Sequence, residues 1–227
     1  MPPRSYFEQS RPELVAQLPA GRLGRLLDVG CGAGGVGRAL RDRVDFLAGI
    51  ELDAEAAAEA REVYDDVSTG RAENVVGDLA GPFDTILAYD LLEHLAEPGR
   101  LLGRLREVAA EDALLHVSVP NARHWSLVRD LVLHGTFGYT DWGHRDQTHL
   151  RWFTRADLVN LLESAGWHVE QTLHAPLTPA GRAAERLTRG RSAEFLVYQW
   201  SALSRNGPAG RPLPADATDR AGAAAPH

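Results

Sequence analysis

The sequence predicts a three-layer α/β domain, because seven short apolar segments alternate with helix-like segments along most of its 227 residues. The first apolar segment, GRLLDV, is apolar toward both faces, as expected of a buried strand in a parallel sheet. It is followed directly by a glycine cluster from Gly30 to Gly37 and then by a helical pattern. A strand, a glycine turn and a helix in this order are typical of a ligand site in a parallel sheet.

Seven segments are predicted to be strands because they are short, apolar and bounded by polar or turn-forming residues. In chain order they are GRLLDV, VDFLAGIELD (ending at Ile50), DDVSTG, PFDTILAYD, ALLHVSVPN, WHVEQTL and EFLVYQWSAL. The last two are predicted to be closely spaced with a tight connection, so that the chain ends in a pair of neighbouring strands.

The predicted helices begin at residues that favour helix starts. One begins near Gly34, and Asp53 caps the segment AEAAAEAREVY. Pro98 lies in the first turn of a helix that carries leucines on one face. Thr154 and Asp157 have the spacing of a capping box at the start of the helix before WHVEQTL.

Composition and charge exclude several classes of protein. The net charge of −7 argues against general binding to nucleic acid or to an anionic membrane. No apolar run has the length of a membrane span and the N-terminal residues lack a signal-peptide core, so we expect a cytoplasmic protein. Cys31 is the single cysteine, which excludes an internal disulfide and a thiolate metal cluster.

One domain is predicted over residues 1–205, and a disordered tail over residues 206–227, which are mainly Pro, Gly and Ala without periodicity. Within the domain, residues 121–153 form a long connection between the fifth strand and the next helix. Because they follow the carboxyl end of a strand and are rich in His, Trp, Tyr and Arg, we expect a cover over a substrate site. The structural alternative is a helical insertion that packs its aromatic residues on the core.

The glycine cluster fits two different ligand-binding patterns. Gly32, Gly34 and Gly37 have the spacing of a dinucleotide-binding turn, whereas Gly30, Gly32 and Gly34 have the spacing acid-x-G-x-G-x-G, led by Asp28. An acid directly before a pyrophosphate site would repel the phosphates. S-adenosylmethionine (SAM) has no phosphate and carries a sulfonium and an ammonium group, which an acid attracts. Asp28 therefore favours a methyl donor over a nicotinamide cofactor.

The chain resembles the class I SAM-dependent methyltransferases, and more narrowly their bacterial small-molecule branch. That branch includes ubiquinone-biosynthesis O-methyltransferases and the methyltransferases of sugar and natural-product gene clusters. The resemblance covers about Tyr6 to Arg205 and is carried by LLDVGCGAG, GIELD, PFDTILAYDLLEHL, VSVPN and THLRWFTRADLVNLLESAGW. It implies a Rossmann-like three-layer sandwich with a seven-stranded, mostly parallel sheet whose last strand is antiparallel.

The resemblance also implies where SAM binds. The glycines pass under its methionine part, Glu51 holds the ribose beside Leu52 and the adenine, and the backbone near Asp90 meets the amino group. Where the family often has Gly-Asp after the third strand, this chain has Gly70 and Arg71, so we expect adenine contacts from the backbone there. The predicted donor-binding residues are Asp28, Gly30, Cys31, Gly32, Gly34, Glu51, Leu52, Arg71, Ala72, Tyr89 and Asp90.

Glu93, His94 and His149 are the predicted catalytic residues. If Asp90 opens a helix, Glu93 and His94 share one face of it beside the methyl position, and His149 approaches from the cover. A hydroxyl acceptor needs a base, which His94 or His149 can supply. A divalent metal held by Glu93, His94 and His149 is the alternative, with precedent in related O-methyltransferases, and the base is favoured over it.

The expected reaction is methyl transfer from SAM to a hydroxyl or amine of a small molecule, in bacterial secondary or cofactor metabolism. The predicted substrate-binding residues are Asn121, His124, Tyr139, Asp146 and Arg151. The expected partner is the small-molecule acceptor, with no nucleic acid and no membrane, and the sequence predicts no oligomeric state. A non-catalytic SAM-binding regulator or partner subunit is the alternative function.

Overall fold

The computed structural model describes residues 8–141 and 143–207. Most of the predicted tail lies outside the described residues. Among the described residues, no helix combines the length and the apolar character that crossing a bilayer requires.

The seven strands of the described chain are β1 Arg25–Val29, β2 Phe46–Glu51, β3 Asp66–Thr69, β4 Phe83–Tyr89, β5 Ala109–Pro120, β6 Trp167–His174 and β7 Gln199–Asn206. The α-helices of the same residues are α1 Pro12–Val15, α2 Gly35–Leu40, α3 Ala54–Ala60, α4 Ala72–Val75, α5 Pro98–Glu107, α6 Trp125–His134, α7 Arg155–Ser164, α8 Pro179–Leu187 and α9 Ala193–Leu196. Short 3-10 helices occur at Arg41–Arg43, Val76–Asp78, Leu92–His94 and Gly143–Arg145.

The strands form one sheet in the order β3-β2-β1-β4-β5-β7-β6. Neighbours from β3 to β5 are parallel, whereas β7 lies antiparallel between β5 and β6. The order reverses direction between β1 and β4, which is where open α/β sheets bind ligands. This topology confirms the predicted fold, including the antiparallel last strand.

Successive residues of β1 face opposite sides of the sheet and belong to two separate cores. Leu26 packs with residues of α1, α2 and α3 on one side. Leu27 packs with residues of α5 and α7 on the other side. Both leucines are fully buried, as expected of a strand covered by helices on both faces. The sheet therefore holds the strand ends in fixed positions between two packed layers.

The predicted helix starts at Asp53 and Thr154 are confirmed. The Asp53 carboxylate accepts hydrogen bonds from the backbone N–H groups of Glu55 and Ala56 at 3.0 and 2.9 Å. Thr154 and Asp157 form both halves of a capping box. Each cap satisfies N–H groups that the helix itself leaves unpaired.

The first half of the predicted final strand EFLVYQWSAL and its tight connection to β6 are wrong, whereas its second half lies in β7 as predicted. The first residues of EFLVYQWSAL lie in α9, and β7 begins only at Gln199. Helices α8 and α9 fill the connection between β6 and β7. Ala193 and Val197 are both buried, and their spacing of four residues is that of a helical turn rather than of a strand.

Candidate active site

A first cavity of about 580 Å³ opens at the carboxyl ends of β1, β2, β3 and β4. All the predicted donor-binding residues except Gly34 line it. Gly34 instead caps α2 with a φ of 89°, a left-handed conformation that glycine adopts without steric cost. The glycine cluster thus turns the chain from β1 into α2 at the edge of the cavity.

Glu51 is tied to the glycine cluster through both oxygens of its carboxylate. Oε2 accepts a hydrogen bond from the Gly32 N–H at 2.8 Å, and Oε1 accepts one from the Asp53 N–H at 2.8 Å. These bonds fix the carboxylate at the end of β2, where it lines the cavity. Each carboxylate oxygen has two acceptor sites, so Glu51 retains capacity for ligand hydroxyl groups.

Asp28 is buried at the end of β1 and lines the same cavity. Burial raises the pKa of its carboxyl group to about 7, against the opposing effect of a hydrogen bond from the Tyr64 hydroxyl at 2.6 Å. A cationic ligand beside Asp28 favours the charged form of this carboxyl group, because opposite charges attract strongly at a buried position. Asp28 is therefore suited to the positive end of a ligand.

Arg71 and Ala72 lie at the start of α4 and both line the cavity, next to Gly70. Asp78, a second candidate for the adenine contact because it follows a glycine after β3, lies in the 3-10 helix Val76–Asp78 and is not among the described residues that line the cavity. Cys31 lines the cavity as a buried thiol whose pKa is raised by burial, which leaves it poorly suited to nucleophilic chemistry.

A second cavity of about 660 Å³ adjoins the first. Among the described residues, both cavities are lined by Gln9, Arg11, Asp90, His94 and Asp146. The second cavity is further lined by Glu13, Glu93, Pro120, Gly143, His149, Ala175, Pro176, Leu177, Thr178, Leu196, Tyr198 and Gln199. The two cavities therefore share a wall, and His94 is one of the residues that form it.

The predicted catalytic residues are brought together. One ligand-type atom from each of Glu93, His94 and His149 lies within 4.8 Å of the others, and the two imidazole rings have centroids 4.8 Å apart. The expected regular helix from Asp90 is wrong: Asp90 has a φ of 48°, and only the 3-10 helix Leu92–His94 follows it. A sharp turn at Asp90 and a short 3-10 helix, and not the face of a regular helix, therefore bring Glu93 and His94 close to His149.

Burial shapes the protonation of all three groups. Glu93 is 1% exposed and neither carboxylate oxygen has a hydrogen-bond partner among the described residues. Burial raises its pKa to about 8. Burial lowers the pKa of both His94 and His149, and the neighbouring imidazole of His94 lowers the pKa of His149 further. At neutral pH the two imidazoles are therefore neutral and able to accept a proton.

Of the predicted substrate-binding residues, the structure places Asp146 at both cavities and the others elsewhere. Asn121 is fully buried, and its side-chain amide donates to the carbonyls of Glu194 and Val197 at 3.0 and 2.7 Å. These bonds consume its donors, so Asn121 joins the end of β5 to α9 and does not face a substrate.

His124, Tyr139 and Arg151 are not among the described residues that line either cavity. His124 stacks on His144 with ring centroids 4.9 Å apart. Tyr139 is 60% exposed, and Arg151 donates to the carbonyl of Ala96. The expected cover over residues 121–153 therefore contributes its second half to the cavities, while α6 in its first half stays away from them.

Sequence reasoning missed the residues before α1. Gln9 and Arg11 line both cavities, and the Arg11 guanidinium forms an ion pair with Asp90. A Cβ on Gly35 would lie 2.5 Å from the carbonyl oxygen of Gln9, so only glycine lets this segment pack against the start of α2. Gly35 belongs to the glycine cluster already noted, but nothing in the sequence shows that it contacts residues 8 and 9.

The chain is similar in sequence to known methyltransferases. A family model described as "Methyltransferase domain" matches residues 4–172. A relative from Mycolicibacterium smegmatis, named "Probable S-adenosylmethionine-dependent methyltransferase", is 30% identical over 168 residues, 72% of this chain and 60% of that protein. A ubiquinone biosynthesis O-methyltransferase of Caulobacter sp. (strain K31) is 32% identical over 105 residues, 43% of this chain and 41% of that protein.

The matches to these two relatives thus span less than two thirds of the length of either. In fold, the chain is similar to the crystal structure of an S-adenosylmethionine-dependent methyltransferase from Mesorhizobium loti. The TM-score is 0.60 at 16% identity, over 86% of this chain and 96% of that one. Because the family model covers most of the chain and the sheet has the predicted order, the chain belongs to the class I SAM-dependent methyltransferase family.

Proposed function

We propose that this protein transfers the methyl group of SAM to a hydroxyl group of a small molecule. The observation that carries the proposal is the junction of the two cavities at His94, where a neutral imidazole lies between the two sites. In this proposal the first cavity holds SAM and the second holds the acceptor. The Caulobacter relative is named an O-methyltransferase, which supports a hydroxyl acceptor over an amine.

For this reaction the protein has to align the acceptor oxygen with the methyl carbon of SAM and remove the proton of the acceptor hydroxyl. The sulfonium already activates the methyl group for in-line displacement by the acceptor oxygen. Asp28 and Glu51 hold the donor by its positive end and its ribose hydroxyls, which sets the position of the methyl carbon. His94 or His149 takes the proton of the acceptor hydroxyl as the C–O bond forms and the C–S bond breaks. The neutral products are S-adenosylhomocysteine and the methyl ether, with the proton on the imidazole.

The lining of the second cavity indicates the class of acceptor. Its described residues include the carboxyl groups of Glu13, Asp90, Glu93 and Asp146, and one guanidinium, that of Arg11. Arg11 is already paired with Asp90. These residues therefore offer no available cation to a phosphate or carboxylate on the acceptor. Their several carboxyl groups would repel such an anionic group. We infer an acceptor that is uncharged or cationic, with an apolar part toward Pro176, Leu177 and Leu196.

A divalent metal is a second way to activate the acceptor. Glu93, His94 and His149 fit such an ion, because two imidazoles and a buried carboxylate without hydrogen-bond partners form a suitable donor set. When bound, the ion would lower the pKa of an acceptor hydroxyl. The unpartnered oxygens of Glu93 are the specific observation that favours this candidate.

The test is methyl transfer measured directly. SAM with a labelled methyl group is incubated with the protein and a panel of hydroxyl compounds in matched neutral, cationic and anionic forms, with and without chelator. We expect SAM to bind in calorimetry, NADH not to bind, and label to enter neutral or cationic acceptors. SAM binding without transfer to any acceptor would favour the alternative of a SAM-binding regulator. Loss of transfer with chelator and recovery with a divalent ion would select the metal candidate.

A further inference from the structure

Asp146, Thr148 and His94 form a chain of hydrogen bonds that leads from the cover to the junction of the cavities. The Thr148 hydroxyl donates to Oδ1 of Asp146 at 2.7 Å. The same Oδ1 accepts the Thr148 backbone N–H at 2.8 Å, which fixes the threonine relative to the carboxylate. The Thr148 oxygen lies 3.1 Å from Nδ1 of His94.

The position of each proton in this chain follows from the number of donors. A carboxylate accepts hydrogen bonds and has none to donate, so the single hydroxyl proton of Thr148 lies toward Asp146. The threonine oxygen then has only lone pairs to offer His94. Its contact with Nδ1 is therefore a hydrogen bond only if Nδ1 carries the ring proton.

We propose that Asp146 and Thr148 are positioning residues that hold neutral His94 in the tautomer with the proton on Nδ1. The lone pair is then on Nε2, which is the nitrogen available to take the proton of an acceptor hydroxyl. The catalytic part of this inference rests on the proposed function, whereas the tautomer itself does not. Asp146, expected from the sequence to bind substrate, acts in this proposal through Thr148 on the base.

The arrangement of the segment explains why it is suited to this role. The backbone N–H of Leu150 donates to the carbonyl of Glu93 at 2.8 Å, which ties the residues after Thr148 to the turn that carries His94. The backbone N–H of His149 donates to the carbonyl of Asp146 at 3.1 Å. These backbone hydrogen bonds hold the segment around Thr148 against the turn that carries His94. The two side chains are therefore brought into contact with little further loss of conformational freedom.

The first test reads the tautomer of His94 and needs no acceptor. The full chain is labelled with ¹⁵N-histidine, and the ring nitrogens are observed by long-range ¹H–¹⁵N correlation at a pH where His94 is neutral. His94→Gln identifies the signals of His94. We expect a protonated Nδ1 and an unprotonated Nε2 in the wild type, and a shift toward the Nε2-protonated tautomer in Thr148→Val. Thr148→Ser should restore the wild-type pattern.

The control is Thr136→Val, an exposed threonine of the same segment that does not line either cavity among the described residues. It should leave the signals of His94 unchanged. An Nε2-protonated His94 in the wild type, or a pattern that Thr148→Val does not alter, overturns the proposal.

The second test measures turnover. We expect Thr148→Val to lower kcat roughly 10–10²-fold, the scale known for groups that orient metal-ligating histidines, and to change SAM affinity less than kcat although Thr148 lines the first cavity. Thr148→Ser should recover most of this loss. If the tautomer shifts but kcat stays the same, the positioning role in catalysis is wrong. If His94→Ala itself keeps full turnover, the proposed function of His94 fails while the assigned tautomer stands.

Discussion

The two cavities are built from different kinds of chain segment. The first takes most of its described lining from residues at the ends of neighbouring strands, from Asp28 through Glu51 to Asp90. The second takes its lining from segments that are far apart in the sequence, including residues before α1, the turn after β4, the cover and the connection from β6 to β7. Local sequence can therefore describe the first cavity, which is proposed to hold SAM, whereas the second cavity, proposed to hold the acceptor, depends on the whole fold.

The difference extends to charge and protonation. In the first cavity, the carboxylate of Glu51 is held by two backbone N–H groups. In the second, the carboxyl group of Glu93 has no hydrogen-bond partner among the described residues and its pKa is raised to about 8 by burial. Glu51 is thus held by the protein's own backbone, whereas Glu93 has only a proton or a ligand to satisfy it among the described residues. Substitution of Glu51 should therefore change SAM affinity, whereas substitutions of His94 and Glu93 should change turnover and the pH dependence of stability.

The largest effect is expected from His94→Ala. Removal of a general base should lower kcat by about 10²–10⁴-fold on a hydroxyl acceptor, with the affinity for SAM nearly unchanged. Because burial lowers the pKa of His94, the wild-type rate should rise with pH below the usual histidine range and level off above it. Steady-state kinetics against pH give both quantities. Full turnover of the double variant His94→Ala/His149→Ala would show that neither imidazole acts as base or metal ligand.

Glu51→Ala tests the first cavity, which is proposed to hold SAM. Loss of a carboxylate that accepts charge-assisted hydrogen bonds should weaken SAM binding by about 1–3 kcal/mol, measured by calorimetry. The matched control is Glu62→Ala, an exposed glutamate that does not line either cavity among the described residues. Equal SAM affinity in wild type and Glu51→Ala would contradict the ribose assignment.

Glu93→Gln should change how stability depends on pH. Folded Glu93 keeps its proton up to a pKa of about 8, whereas the unfolded chain releases it near the usual value of 4.5, so the folded state binds more protons between these values. The free energy of unfolding of the wild type should therefore fall relative to that of Glu93→Gln as pH rises through this window. Denaturant titrations at several pH values measure the difference.

The same stability measurements can be repeated with a divalent ion present. If Glu93, His94 and His149 hold a metal, the ion should raise the wild-type stability at the upper end of the window and have little effect on Glu93→Gln. A stability difference between the two proteins that does not vary with pH would contradict the raised pKa.

The smallest effect is expected within the cover. Residues 143–149 contribute to the cavities, whereas α6 does not. Hydrogen exchange should therefore slow in residues 143–149 when S-adenosylhomocysteine and an acceptor bind together, with no change in residues 125–134. Equal protection of both stretches would show that the cover closes as one unit.

How far the lining residues could be predicted from the sequence also differs between the two cavities. Asp28, Glu51 and Asp90 were expected at one site because each lies among or directly after the last residues of a strand, and parallel strand ends meet at one edge of the sheet. All three line the first cavity. Asn121 was misassigned because its amide bonds to carbonyls near α9, more than seventy residues later in the chain. Gln9 and Arg11 were missed because their segment has no pattern of its own and is positioned by tertiary packing.

The position of β7 has a consequence for how the protein is made. β7 is the last described strand of the chain, yet it lies inside the sheet and pairs with β5 on one side and β6 on the other. During translation, every earlier strand leaves the ribosome before β5 and β6 have a partner between them. The unfinished chain therefore presents an open edge of β5 and a β6 segment without a strand partner, both open to contact with other nascent chains. A chain cut before Gln199 would lack the strand that joins β5 to β6, so the sheet is complete only once residues 199–206 have been made.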